Sequence, residues 1–277
     1  MSELVDGNKV AAEILSDLRS RVADLGYKPR LIVILLGENP ASLSYIKMKQ
    51  KRGEEIGIDV EIHKYSLETS QEQLLSEIRQ FNKQKDVRGI LIQLPLPKFL
   101  DRDTVLNAVD PKLDVDCLTN ANKQALIRGE DVFVPPAAAA VMKILEYYAI
   151  KLNDKNILLV GSGDLIGKPL AAILLNMKIP FELANSYTEN LKQLVMKADI
   201  IVTGVGKAGL ITGELIKDGA MVIDAGTTGS DEGEIIGDVD TKSVAARASL
   251  LAAVPGGVGP VTVAMLLQNV VSSAQSP

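Results

Sequence analysis

The sequence has no tryptophan, one cysteine and one histidine among 277 residues. A lone cysteine, Cys117, excludes an intrachain disulfide and any cysteine-cluster metal site. The lone histidine, His63, lies in the strand-like stretch DVEIHKY and reads as an exposed or edge-strand residue rather than a catalytic one. A Ser-His-Asp triad or a multi-histidine zinc site needs histidine elsewhere or in greater number, so no metal is expected. Acid–base chemistry must then come from lysine, tyrosine or carboxylates. Four phenylalanines and six tyrosines are too few for the stacking platforms that hold single-stranded nucleic acid. Long apolar runs are also missing. The longest, such as residues 31–36, are six residues, so no segment is expected to span a bilayer. The N-terminus MSELVDGNKV lacks an apolar signal region, and a cytoplasmic location is expected. There is no basic excess: 30 Lys and Arg against 35 Asp and Glu leave a net charge of −5. Neither nucleic acid nor a membrane surface is an expected partner.

What is present is an ordinary globular composition, 47% hydrophobic and 23% charged, on a chain long enough for one or two domains and a sizeable core. Residues 8–25 carry Val10, Ile14, Leu18 and Val22 on one helical face. Residues 31–36 form a wholly apolar run, the mark of a buried parallel strand. A helix over 44–56, a strand over 59–65, a helix over 71–84 and a strand over 89–94 follow. QLPLP stops that strand, because proline removes a ladder donor. A short helix over 101–109 and an aspartate-rich loop over 110–119 come next. After Pro136 a helix leads to a strand over 156–160 and then to GSGDLIGKP and a helix reaching Met177. Strands over 181–184, 199–205 and 220–225 and a helix over 190–196 continue the alternation. Strands and helices in this rhythm predict the α/β class, with parallel sheets and right-handed crossovers. Composition breaks near residues 133–140, and no arginine occurs between Gly129 and Ala246. Two α/β domains are expected, residues 1–134 and a Rossmann-like 135–257. A C-terminal helix in 258–277 should return to the first domain, with a cleft between the two.

Three constellations carry chemistry. Gly161, Ser162, Gly163 and Asp164 follow a strand and, with Gly167, open a helix, so backbone N–H groups there can reach a pyrophosphate. The next strand ends Ala184-Asn185-Ser186-Tyr187-Thr188 with no acid to hold ribose hydroxyls, which leans towards NADP while leaving NAD open. Ser186 and Thr227 are further cofactor-side candidates. Second, Tyr45 and Lys49 are four apart on one helix face at the carboxyl end of a strand, and Gln93 and Leu94 end another strand. On spacing alone, a solvated face made by Lys47, Lys49, Lys51 and Arg52 is the favoured reading of Lys49. Third, Pro255, Gly256, Gly257, Val258 and Gly259 precede a helix over 261–270 and make a loop that can approach a flat ligand closely, or a rigid return turn.

Together GENPASLSYIKMKQKRGEEIGI, GILIQLPLP, the Asp114-Val115-Asp116 triplet, GKPL and PGGVGPVTVAMLL resemble the bifunctional methylenetetrahydrofolate dehydrogenase/methenyltetrahydrofolate cyclohydrolase family, over nearly the whole chain. The resemblance implies NADP-dependent oxidation of methylenetetrahydrofolate, then hydrolysis of the methenyl product to formyltetrahydrofolate. It makes the first domain the folate-binding, catalytic one and the second the NAD(P)-binding one. It implies that Lys49 assists proton transfer and water attack, that Gln93 tunes it, that Tyr45 packs on the folate ring system and that Asp116 accepts hydrogen bonds from the pterin. Leu94 and residues 255–259 would line the folate side. A homodimer and a place in one-carbon metabolism and purine biosynthesis are implied as well. Departures stand at Cys117, before Leu118, where the family usually has Gly followed by an aromatic or Leu, at Pro135-Pro136-Ala137-Ala138, at Ser162-Gly163 and at Asn185-Ser186-Tyr187-Thr188. The rival readings are a Rossmann dehydrogenase of another small substrate and a non-catalytic dinucleotide-binding sensor.

Overall fold

The structure, a computed structural model, describes residues 2–37, 40–130, 133–229 and 235–276. In chain order its elements are β1 (Glu3–Leu4), α1 (Gly7–Ala23), β2 (Arg30–Leu36), α2 (Pro40–Ile56), β3 (Asp59–Tyr65), α3 (Gln71–Phe81), β4 (Val87–Ile92), α4 (Arg102–Leu106), α5 (Asn120–Arg128) and α6 (Pro136–Tyr147). Then come β5 (Ile157–Val160), α7 (Gly167–Asn176), β6 (Glu182–Ala184), α8 (Leu191–Lys197), β7 (Ile200–Thr203), β8 (Met221–Asp224), β9 (Thr228–Gly229), β10 (Ile235–Ile236), α9 (Thr241–Ala245), β11 (Leu250–Ala252) and α10 (Val258–Gln275).

Two boundaries differ from the sequence reading in ways that bear on function. Helix α2 begins at Pro40 rather than at residue 44, a proline at the first helical position, where its missing N–H goes unneeded. Helix α10 begins at Val258 rather than at 261, so Val258 and Gly259 are helical and only Pro255, Gly256 and Gly257 of that glycine-rich stretch precede it.

The chain divides into two compact units. One comprises Ala12–Leu126, a short piece ending at Pro136, and the C-terminal stretch from Val263. Its sheet is three-stranded and parallel in the order β3-β2-β4. The middle strand, β2, is buried from Leu31 through Leu36, which is why it reads as an unbroken apolar run rather than an alternating one. One face of this sheet packs Ile32, Ile34, Ile90 and Ile92 against Leu74, Ile78 and Phe81 of α3. Helix α3 is capped by Ser70, whose hydroxyl accepts from the N–H of Gln73.

The other unit comprises the residues up to Ala11, Ile127–Glu130 and Ala137–Thr262. The first eleven residues thus group away from the rest of the expected first domain, because β1 pairs with β11 and Gly7 lies against Gly256 and Gly257. A Cβ on Gly7 would stand 1.8 Å from the Gly257 carbonyl oxygen, so only glycine admits that approach. The sheet of this unit is six-stranded and parallel, in the order β1-β11-β8-β7-β5-β6. Strand β5 has its sequence successor β6 on one side and β7 on the other. The strand order therefore reverses at β5, and the carboxyl end of a strand at such a reversal is where open α/β sheets bind ligands.

Candidate active site

Lys49 is 7% exposed, although its helical neighbours Lys47 and Lys51 lie in solvent. The solvated-face reading that spacing favours is thus overturned for this one lysine. Its Nζ donates to Gln93 Oε1 at 3.1 Å and lies 5.6 Å from the centre of the Tyr45 ring. Tyr45 and Lys49 meet because they are one turn apart on α2. Gln93 follows directly on β4, and its backbone N–H donates to Ile34 O at 2.9 Å, extending the sheet register by one residue. Its side-chain Nε2 donates to Leu94 O at 3.0 Å, which leaves Oε1 for the lysine. Burial lowers the Lys49 pKa, and the charge of Asp116 opposes this. Burial likewise raises the Tyr45 hydroxyl.

Asp116 arrives on the segment beside β4, where Ile90 N donates to Leu113 O at 2.8 Å. Gly89 makes that approach possible. A Cβ there would stand 3.0 Å from both a Val115 methyl and a Leu31 methyl. The two aspartates of the triplet do different work. Asp114 is buried and accepts from Leu118 N (3.0 Å), Thr119 N (2.8 Å) and Asn122 Nδ2 (3.0 Å), tying the loop to the start of α5. Asp116 is partly buried, and its carboxylate has no hydrogen-bond donor among the described residues. Burial pushes its pKa up to about 6, the Lys49 charge pulls it down and Asp114 adds to the rise. A carboxylate with free lone pairs next to a buried lysine is equipped to accept from a ligand's N–H groups. Cys117, next in sequence, has φ of 57°, a left-handed backbone that favours the glycine common at this place in the family it resembles.

Sequence reasoning missed Asn269 of α10. Its Nδ2 donates to Val115 O at 2.8 Å and to Val134 O at 2.9 Å, pinning the residue before Asp116. Its only sequence signal is a polar residue inside the apolar run of the last helix.

The glycine turn lies in the other unit, at the end of β5. Gly161 has φ of 107°, and a Cβ there would stand 2.8 Å from Gly204 O. A Cβ on Gly167, the first residue of α7, would stand 1.9 Å from Gly161 O. These two glycines let the helix start hard against the strand end. Gly163 is different: nothing lies within 4 Å of a Cβ built there. Backbone N–H groups at a helix start with open space beside them suit a pyrophosphate, so the turn fits a dinucleotide cofactor. Ser186 and Thr227 are exposed, at the ends of β6 and β8, and Asn185 turns its chain by accepting from Tyr187 N. Pro255, Gly256, Gly257, Val258 and Gly259 belong to this unit too.

Comparison with known proteins settles the family. Residues 5–116 match the tetrahydrofolate dehydrogenase/cyclohydrolase catalytic domain, and residues 135–277 match the NAD(P)-binding domain of the same family. The chain belongs to the tetrahydrofolate dehydrogenase/cyclohydrolase family. The bifunctional protein FolD of Nautilia profundicola is 40% identical over 276 residues, covering 99% of this chain and 97% of that protein. Among solved structures, the bifunctional FolD of Campylobacter jejuni superposes with a TM-score of 0.95 at 36% identity, covering 99% of both chains. The Trypanosoma brucei enzyme, solved with NADP and an inhibitor, gives 0.94 at 34% identity, covering 99% of this chain and 97% of that one.

Proposed function

We infer that this chain carries both reactions of the tetrahydrofolate dehydrogenase/cyclohydrolase family, and that Lys49 is the proton-handling group. It oxidises methylenetetrahydrofolate to the methenyl compound with NADP and hydrolyses that product to formyltetrahydrofolate. The observation that carries the site assignment is the buried Lys49 Nζ, 3.1 Å from Gln93 Oε1. Bound NADP supplies the hydride acceptor. Gly161, Ser162, Gly163 and Asp164 hold its pyrophosphate, with Ser186 and Thr227 beside its other groups.

The oxidation turns the bridge carbon of the folate into an electrophilic cation. Tyr45 lies along the ring system, Asp116 accepts from the pterin N–H groups, and Leu94 lines the folate. Hydrolysis then adds water to the bridge carbon, opens one C–N bond and releases a proton. A lysine of ordinary pKa is fully protonated at neutral pH and takes up no proton. Burial lowers the Lys49 pKa, which makes it able to accept and return one. Gln93 and Asp116 hold the ammonium form in place when it arises.

We also read the enzyme as a cytoplasmic homodimer whose formyl product serves purine biosynthesis. Among the described residues no helix is long and apolar enough to cross a membrane. Leu175, Met177 and Leu183, exposed at the end of α7 and on the edge strand β6, support self-association.

Lys49→Met is the test. It should abolish loss of methenyltetrahydrofolate absorbance while leaving measurable NADP reduction, since hydride transfer depends on alignment more than on proton transfer. A folded variant that hydrolyses the methenyl compound at the wild-type rate would remove Lys49 from the mechanism.

A further inference from the structure

Two fully buried carboxylates, Asp224 and Asp238, take no part in the reactions above. Neither is paired with Lys or Arg among the described residues. Asp238 is held instead by four donors from one short stretch. Its Oδ2 accepts from Thr203 Oγ1 (2.7 Å) and Val205 N (2.7 Å), and its Oδ1 accepts from Gly206 N (2.8 Å) and Lys207 N (2.7 Å). Asp224, the last residue of β8, fixes Asp238 in turn. It accepts from the N–H groups of Asp238 (3.1 Å), Val239 (2.9 Å) and Gly226 (3.0 Å).

The packing around the pair is built from missing side chains. A Cβ on Gly226 would stand 2.2 Å from the Asp238 carboxyl carbon, and one on Gly237 would stand 2.0 Å from Asp224 Oδ2. The stretch that Asp238 holds lies against the dinucleotide turn. A Cβ on Gly204 would stand 2.8 Å from an Ile166 methyl, and one on Gly161 would stand 2.8 Å from Gly204 O. A line of contacts therefore runs from Asp224 through Asp238 and residues 203–207 to Gly161 and Ile166, at the two ends of the turn. Gly226, the residue before Thr227, touches the same pair.

We propose that Asp238, seated by Asp224, is a positioning residue for the NADP site: its carboxylate sets the loop after β7 against which the glycine turn is shaped. The proposal rests on the reading that residues 161–167 hold the cofactor. Four N–H and O–H donors converging on one buried carboxylate fix a loop more tightly than neutral acceptors could, because hydrogen bonds to an ionised group are the stronger kind. Asp238→Asn keeps the shape but offers one acceptor oxygen where there were two, and turns an NH2 group towards backbone donors.

The chain supplies its own control, since hydrolysis of methenyltetrahydrofolate consumes water and can be assayed without NADP. In Asp238→Asn the NADP dissociation constant, measured by calorimetric titration of the cofactor-free protein, should rise about 10- to 100-fold. Cyclohydrolase turnover without NADP should stay within about twofold of wild type. Unchanged NADP affinity would overturn the proposal. So would a parallel fall of both properties, which would make the carboxylate a general support of the fold. If Asp238→Asn does not fold, Thr203→Val decides, since it removes one donor and keeps the side-chain shape. A severalfold weaker NADP affinity with intact cyclohydrolase supports the proposal, and unchanged affinity overturns it. Gly163→Val separates the underlying reading from the proposal. Its side chain would fill open space beside the turn, and NADP binding should be lost. If Gly163→Val binds NADP like wild type, the turn is not the cofactor site, and the role of Asp238 falls with it.

Discussion

Gln93 has its amide oriented by one bond and used by another, so its replacement should move a titration in a calculable direction. Nε2 donates to Leu94 O at 3.0 Å and thereby aims Oε1 at the Lys49 ammonium, 3.1 Å away. That acceptor favours the charged lysine against the burial that disfavours it. Gln93→Leu removes the acceptor at similar volume. A hydrogen bond to a charged group is worth about 1.5–3 kcal/mol, and one pH unit corresponds to about 1.4 kcal/mol. The lysine limb of the pH–rate profile for methenyltetrahydrofolate hydrolysis should therefore move about one to two units towards acid. Gln93→Glu places a carboxylate at the same point, and the limb should move towards alkali. Turnover measured from pH 5.5 to 9.5 by loss of methenyl absorbance reads both. If both folded variants keep the wild-type profile, or both move the same way, Gln93 does not tune Lys49.

Three further outcomes follow from particular contacts. With no arginine between Gly129 and Ala246, any 2′-phosphate on the cofactor lacks a guanidinium fork from that stretch, so the NADP preference over NAD in kcat/KM should be limited to about one or two decades; a preference of many decades would refute this. Asn269→Ala strands the carbonyls of Val115 and Val134, and urea unfolding should show a loss of about 1–3 kcal/mol together with weaker folate binding, since Val115 carries Asp116. Asp224 has its pKa raised to about 6 by burial and the neighbouring Asp238 charge. Its contribution to stability is therefore present below about pH 4 and lost as pH rises through 6. The unfolding free energy of Asp224→Asn relative to wild type should improve across that window, and a flat difference would contradict the assignment.

The strands most plainly legible in the sequence are the buried ones, although the partly exposed edge strands β3 and β6 were legible as well. β2, β4, β5, β7 and β8 announce themselves as apolar runs between turn residues. β1 and β11, two and three residues long, are too short to show a period, and they become strands only by pairing with each other and with β8. The burial of Lys49 was illegible for a related reason. Four basic residues between 47 and 52 look like one solvated face, and only the packed helix separates Lys49 from the other three. Motif resemblance, not spacing, singled it out. Asp224 and Asp238 left almost no trace, because nearly all their partners are backbone N–H groups, which every residue but proline carries. Asp114 and Asp116 could not be told apart in role until the loop around α5 showed which one was already satisfied.

Gly161, Gly167 and Gly204 form one cluster in which close backbone approaches leave no room for side chains. A methyl group on Gly161 meets Gly204, and one on Gly167 meets Gly161, so replacing either demands a simultaneous shift at its neighbour. Such positions cannot drift singly, and no path of one-step substitutions leads away from them. Directed evolution of cofactor choice should therefore hold these three codons constant. Its diversity belongs at Ser186 and Tyr187, which lie exposed beyond the end of β6.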